Sequence, residues 1–203
     1  TPISNSMDYY DLLGVSRQAS DKDLKNAFKN KAREHHPDKG GDPEKFKVWY
    51  HGVGKVNATM FATMACIQSD CEAVINYGTA GALNKELAEQ FIQIGTVRQR
   101  DMDTRPQADL GVTPFEETGL EGDLKISNSA WSCSSGDNFV QAPPELTSDV
   151  VDMESYGIAK VCKHFQKPFI CYKYVTDFAD ENAAKEWESN QSKGASAFLE
   201  MCK

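Results

Sequence analysis

Apolar positions fall into two regimes along this chain. Between Ser20 and His36, the residues Leu24, Ala27, Phe28 and Ala32 recur at helical spacing. This predicts a helix with one buried stripe, opened by Ser20 as N-cap with Asp21 and Asp23 in its positive first turn. From Val48 onward, short apolar runs alternate with helical stretches, the grammar of an α/β domain. The spacing predicts an extended piece over 47–51, a helix over 55–68, a strand over 73–77 entering a glycine-rich turn, and a strand over 93–99. A loop-rich middle over 101–122 follows. After it come a strand before Ser135, a helix over 154–165, a strand over 169–176 and a last helix from about Asn182. The expected fold class is α/β: a small helical unit over 7–46, then a mixed-sheet α/β domain with flanking helices over 47–203. Residues 1–6 read as leader and are given no fold.

Composition narrows the classes. The chain has 203 residues, 40% hydrophobic and 26% charged, which is ordinary globular usage with room for two cores but not three. No apolar run approaches the roughly 18 to 20 residues needed to span a bilayer, so no membrane partner and a cytoplasmic location are expected. The six cysteines, Cys66, Cys71, Cys133, Cys162, Cys171 and Cys202, show no C-x-x-C spacing. Reduced thiols and no metal site are expected. Residues 1–47 hold nine Lys/Arg against eight Asp/Glu, net +1, and the remainder hold 13 against 22, net −9. The acidic part is a poor match for nucleic acid. His51 and His164 have no partners at a spacing that points to metal or triad chemistry, and no cofactor is expected.

Lys22, Lys25, Lys29 and Arg33 lie opposite the apolar stripe and make a positive face that ends at His35-His36. Taken alone, such a face is a solvated surface. Pro37 cannot continue the helix and biases His36 away from helical dihedrals, so the chain turns there and exposes Asp38. The segment Tyr9-Tyr10-Asp11-Leu12-Leu13-Gly14-Val15, the Ser20-capped helix, His36-Pro37-Asp38 and Lys39-Gly40-Gly41-Asp42-Pro43 occur in that order. Together they resemble the J-domain of DnaJ-type co-chaperones. The resemblance implies that His36, Pro37 and Asp38 stimulate the ATPase of a DnaK-type chaperone, with Lys22, Lys25, Lys29 and Arg33 docking. The third helix of a J-domain is missing or short here, because Gly52 and Gly54 each cost roughly 1 kcal/mol in a helix interior. Phe46, Trp49 and Tyr50 are spaced to cover part of the Leu24/Phe28 stripe.

A second set of motifs follows in order: Gly52-Val53-Gly54-Lys55-Val56-Asn57, Asn76-Tyr77-Gly78-Thr79-Ala80-Gly81, Ser135-Gly136-Asp137-Asn138-Phe139, Val151-Asp152-Met153-Glu154 and Thr176-Asp177-Phe178-Ala179-Asp180. These resemble the purine nucleoside phosphorylase superfamily, and within it the nucleosidases that hydrolyse methylthioadenosine and S-adenosylhomocysteine. The resemblance implies a purine nucleoside as ligand, Asp177 as general acid for a purine ring nitrogen, and Glu154 on the ribose hydroxyls with Met153 beside the sugar. It further implies Phe139 packed on the purine, with Thr79, Ala80 and Gly81 offering backbone N–H groups in a turn, and a homodimer. From the residues alone, an N-cap for the last helix is the lesser alternative for Asp177, Glu154 also reads as an acidic first-turn residue, and Phe139 also reads as core. Asp180 reads as a helix-start residue.

Members of that family begin with a strand and turn carrying a water-activating glutamate, and the J-like segment occupies that place. Three readings stay open. One is a nucleosidase-like enzyme, slowed, tethered to a chaperone recruiter. The second is a non-enzymatic co-chaperone with a degenerate nucleoside-binding fold. The third is the product of a rearranged gene.

Overall fold

A computed structural model describes residues 51–68 and 71–202, together with Val15, Ser16, Gln18, Asp23 and Asn30. Residues 1–6, the expected chaperone contacts Lys22, Lys25, Lys29, Arg33, His36, Pro37 and Asp38, and the extended piece before His51 lie outside the described residues. Chain order is α1 (Lys55–Gln68), β1 (Val74–Ala82), a 3-10 turn (Lys85–Leu87), β2 (Phe91–Gln93), β3 (Thr96–Gln99), β4 (Leu124–Lys125), β5 (Ser132–Ser135), β6 (Val150–Asp152), α2 (Ser155–His164), β7 (Phe169–Asp177) and α3 (Ala183–Cys202). The strands form one mixed sheet in the order β2-β7-β1-β6-β5-β3-β4.

Strand β7 is buried along its whole length, which explains its nearly unbroken apolar reading, since both faces are covered. Phe169, Cys171 and Val175 join Ala58 and Ala62 of α1 and Ile158, Ala159 and Cys162 of α2 in one cluster. Their alternates face α3, where a Cβ on Gly194 would sit 2.8 Å from the Tyr77 hydroxyl and 3.0 Å from Tyr174. Helices α1 and α2 cross closely at Gly157, where a Cβ would stand 2.5 Å from Thr59 Oγ1. Among the described residues Cys66, Cys71, Cys133, Cys162 and Cys171 are free thiols. No helix there is long and apolar enough to cross a membrane.

Two expectations are corrected. The single strand over 93–99 is two strands with different partners: β2 runs antiparallel to β7, and β3 runs parallel to β5. The change occurs at Ile94-Gly95, where Ile94 N donates to Cys171 O at 2.9 Å and Gly95 N to Trp131 O at 2.8 Å. A Cβ on Gly95 would lie 1.9 Å from Ser129 O, so only glycine lets the chain cross there. Because two residues join the edge strand β2 to β3, the last strand but one at the far end of the sheet order, the sheet must curl until those regions adjoin.

The second correction concerns Thr79, Ala80 and Gly81, which lie inside β1 and not in a tight turn. Register with β7 runs from Val74 opposite Phe169 to Ala80 opposite Val175, then shifts by a bulge so that Gly81 faces Asp177. On its other edge β1 meets β6 antiparallel at Gly81 and Ala82. The glycines mark close approach, because the space beside Gly78 holds Lys173 Nζ and that beside Gly81 holds Asp177 Oδ1.

Passing over Gly78, the Lys173 ammonium reaches Asp152 at 2.7 Å, with side chains only 1% and 0% exposed. Asp152 also accepts from the hydroxyls of Ser135 and Ser155 and from Ser155 N at 2.9 Å, which caps α2. Burial alone would raise the Asp152 carboxyl, but Lys173 and these donors hold it well below the usual carboxylate range. Burial alone would lower Lys173, and Asp152 holds it above its ordinary value. Replacing Lys173→Met leaves a buried, unpaired carboxylate and is expected to cost about 3–5 kcal/mol. Urea unfolding measures this, and the double variant with Asp152→Asn recovers most of the loss. An unchanged midpoint in Lys173→Met contradicts the assignment.

Candidate functional site

The start of α1 draws in side chains from two other elements. Glu154 occupies the N-cap position of α2, yet its carboxylate makes no capping bond to its own helix. It reaches across to accept from Gly54 N at 3.0 Å and turns back to Met153 N at 3.3 Å. Asp137, in the loop after β5, accepts from Lys55 N at 2.7 Å, so two carboxylates satisfy orphan amides of α1 and complement its positive end. The Lys55 ammonium pairs with Asp101, whose other oxygen accepts from Asp137 N at 2.8 Å. Gly52 and Gly54 take φ of 72° and 96°, the left-handed region that lets the chain enter the helix from this angle. A cleft of about 310 Å³ opens here, lined by Val53, Gly54, Val56, Asn57, Asp137 and Met153.

At the far end of β7, Asp177 is 7% exposed. It accepts from Ala179 N at 3.0 Å and from the Thr176 hydroxyl at 2.8 Å. These bonds hold it in a turn six residues before α3, so it does not cap that helix. Among the described residues no Lys or Arg is within ion-pair distance of it, and burial pushes its carboxyl up. Gly81 makes room for it: a Cβ there would lie 2.6 Å from Asp177 Oδ1, 3.1 Å from Ala179 and 3.3 Å from Val151. Val140 packs with those same residues, Val151 and Ala179, in a small apolar cluster. Its neighbour Phe139 is 46% exposed, so it is not the core phenylalanine that the residues alone also allowed.

Of the predicted residues, Met153 lines the cleft, Glu154 is bound to the cleft residue Gly54, and Phe139 follows the cleft residue Asp137 by two positions. Gly81 stands on the strand beside β6 and Asp177 on the next strand beyond it, joined to the Phe139 loop through Val140, Val151 and Ala179. Ala80 is buried in β1, and the Thr79 hydroxyl accepts from Trp187 Nε1 at 3.0 Å. Asp180 accepts from Asn182 N, in the turn before α3. His51 contacts its neighbour Gly52, and His164 stacks edge-on with Phe165. Sequence reasoning missed Trp187, Asp101 and Arg100. Gly54 and Asp137 sat inside quoted motifs, where their acceptors could not be foreseen.

Comparison with known proteins follows the same division. Residues 8–51 match the DnaJ domain, and residues 45–116 and 114–202 match the phosphorylase superfamily. A DnaJ protein homolog of Atriplex nummularia is 58% identical over 48 residues, 24% of this chain and 12% of that relative, so the chain spans a small part of its length. A 5'-methylthioadenosine/S-adenosylhomocysteine nucleosidase of Bacillus cytotoxicus is 28% identical over 156 residues, 65% of this chain and 68% of the relative. The crystal structure of the Helicobacter pylori nucleosidase of the same name, with butyl-thio-DADMe-Immucillin-A, superposes with a TM-score of 0.67 at 25% identity, covering 75% of this chain and 77% of that one.

The raised Asp177 carboxyl has a consequence for stability. In the folded chain it keeps its proton to higher pH than in the unfolded one, so its contribution is full below the ordinary value of 3.8 and is lost as pH rises through the folded value. Asp177→Asn, which cannot ionise, is expected to melt higher than wild type at neutral pH, the difference closing in acid below 3.8. Melting curves across that range check it, and equal midpoints at neutral pH contradict it.

Proposed function

Since this chain belongs to the phosphorylase superfamily, we propose that its α/β domain binds a purine nucleoside of the methylthioadenosine type and cleaves its N-glycosidic bond by hydrolysis. The observation that carries this reading is Asp177: a buried carboxyl with no cation beside it among the described residues, held up by burial and therefore able to donate a proton. The ribosyl–purine bond breaks with its electron pair moving onto the base, and Asp177 delivers its proton to a ring nitrogen. Positive charge develops on the ribose, where Glu154 is the nearby anion. Its two oxygens offer about four acceptor positions. Gly54 N and Met153 N occupy two of these, and the others are free to accept the sugar hydroxyls. Water then adds its hydroxyl to the sugar carbon and releases its proton. Phe139, half exposed beside this end of the sheet, stacks on the purine; Met153 packs against the sugar; and Gly81 with Ala80 keeps the backbone close to Asp177.

Water is favoured over phosphate as nucleophile by the charges around α1. Its first amides are satisfied by Glu154 and Asp137, and its lysine is paired with Asp101, so the cleft meets a phosphate with carboxylates. No group among the described residues is assigned to activate the water. General-base help is worth about 10²–10⁴-fold, and turnover is slow by that order. A row of exposed apolar residues on α1, Val56, Met60 and Ile67, supports a homodimer. The DnaJ-type segment recruits a DnaK-type chaperone through His36, Pro37 and Asp38, with Lys22, Lys25, Lys29 and Arg33 docking; its DnaJ domain match supports this.

Two measurements separate the functions. Asp177→Asn is expected to abolish adenine release from methylthioadenosine, while stimulation of a DnaK-type ATPase stays at the wild-type level. Unchanged adenine release removes Asp177 from its role. His36→Gln is expected to do the reverse, and full ATPase stimulation in that variant rules out chaperone recruitment through this tripeptide.

A further inference from the structure

Arg100 follows β3 and is 5% exposed, without an acidic partner at ion-pair distance among the described residues. A buried guanidinium is expensive unless its donors are met. Here carbonyl oxygens meet those of both terminal nitrogens, and Nε alone is left without a partner among the described residues. One terminal nitrogen donates to Ser134 O at 2.6 Å and Asp152 O at 2.7 Å. The other donates to Gly136 O at 3.2 Å, Asn138 O at 2.7 Å and Asn138 Oδ1 at 3.3 Å. Burial pulls the guanidinium pKa down from its ordinary value, and the group stays charged because arginine does not deprotonate in proteins.

Those acceptors are not scattered. Ser134, Gly136 and Asn138 lie along the end of β5 and the loop that carries Asp137 and Phe139. Asp152 ends β6, immediately before Met153 and Glu154. One rigid fork therefore ties the loop assigned to the purine to the strand end assigned to the ribose. Gly136 is shaped to it, because a Cβ there would stand 2.9 Å from Arg100 Cζ and 3.0 Å from Nε. Lysine cannot substitute, since a single ammonium does not span acceptors on both segments with fixed planar geometry.

We propose that Arg100 is the positioning residue of the nucleoside site, setting the separation between the purine-stacking loop and the ribose-binding carboxylate; this rests on the reading of the site given above. Arg100 touches neither ligand half, and acts through Phe139 and Glu154. The nucleoside engages both segments and the free base only one, so loss of the fork penalises methylthioadenosine more than adenine.

Calorimetric titration of the full chain with methylthioadenosine and, separately, with adenine tests this. In Arg100→Lys, Kd for methylthioadenosine is expected to weaken about tenfold or more, on the scale at which a misplacement near 1 Å acts. Kd for adenine weakens less. Gly136 has a backbone conformation open to other residues. Gly136→Ala keeps the charge and presses on the fork, and it is expected to show the same ordering even where Arg100→Lys does not fold. A purely structural Arg100 lowers the number of binding sites per chain and leaves Kd as it was, an outcome that overturns the proposal. Equal weakening for both ligands overturns it also. A wild-type chain that binds neither ligand overturns the reading of the site itself, whereas wild-type binding matched by both variants overturns only the role of Arg100.

Discussion

Lys173 and Asp152 meet under the middle of the sheet with almost no access to water. Two buried charges of opposite sign are tolerable only when each is closely met, because the desolvation of either alone is worth several kcal/mol. That requirement propagates outward. Lys173 must cross β1, so β1 carries glycine at position 78. Asp152 must have its remaining lone pairs filled, so Ser135 and Ser155 stand on either side of it. Once Asp152 caps α2, the neighbouring Glu154 is released from that duty and can reach toward α1.

The carboxylates near the cleft consequently have different environments. Asp152 is buried, paired and fixed in its ionised form. Glu154 accepts two amide protons and keeps acceptor capacity in reserve. Asp177 is buried without a cation and holds its proton more tightly than an ordinary aspartate. Glycosidic cleavage asks a protein for an anion at the sugar and an acid at the base, the roles proposed for Glu154 and Asp177, and burial and pairing, more than residue type, create the difference between their environments.

Much of this was legible in the sequence. The long helix beginning at Lys55 and the buried strand ending at Asp177 follow from periodicity and apolar runs, and the structure has both. The ordered motifs pointed to the phosphorylase superfamily, which the family match bears out. What periodicity could not reveal are features set by partners distant in sequence. Gly95 reads as an interruption within one strand, and only its contact with Ser129 shows that the chain there leaves one neighbour for another. Gly78 and Gly81 read as a turn because glycine usually marks one; the side chains that need their space lie about a hundred residues away. Arg100 carries no local signal at all, since its acceptors are backbone carbonyls, which any sequence supplies.

The chain joins this α/β domain directly to a DnaJ-type segment, with the family matches overlapping at residues 45–51 and α1 beginning a few residues later. The central claim is that the α/β domain after this junction retains a nucleoside site. It is tested most directly by the electron density of the full chain crystallised with methylthioadenosine. The expected density is a purine between Phe139 and Asp177 with the ribose hydroxyls on Glu154. Density for the nucleoside elsewhere on the molecule, or a purine out of reach of Asp177, would contradict it.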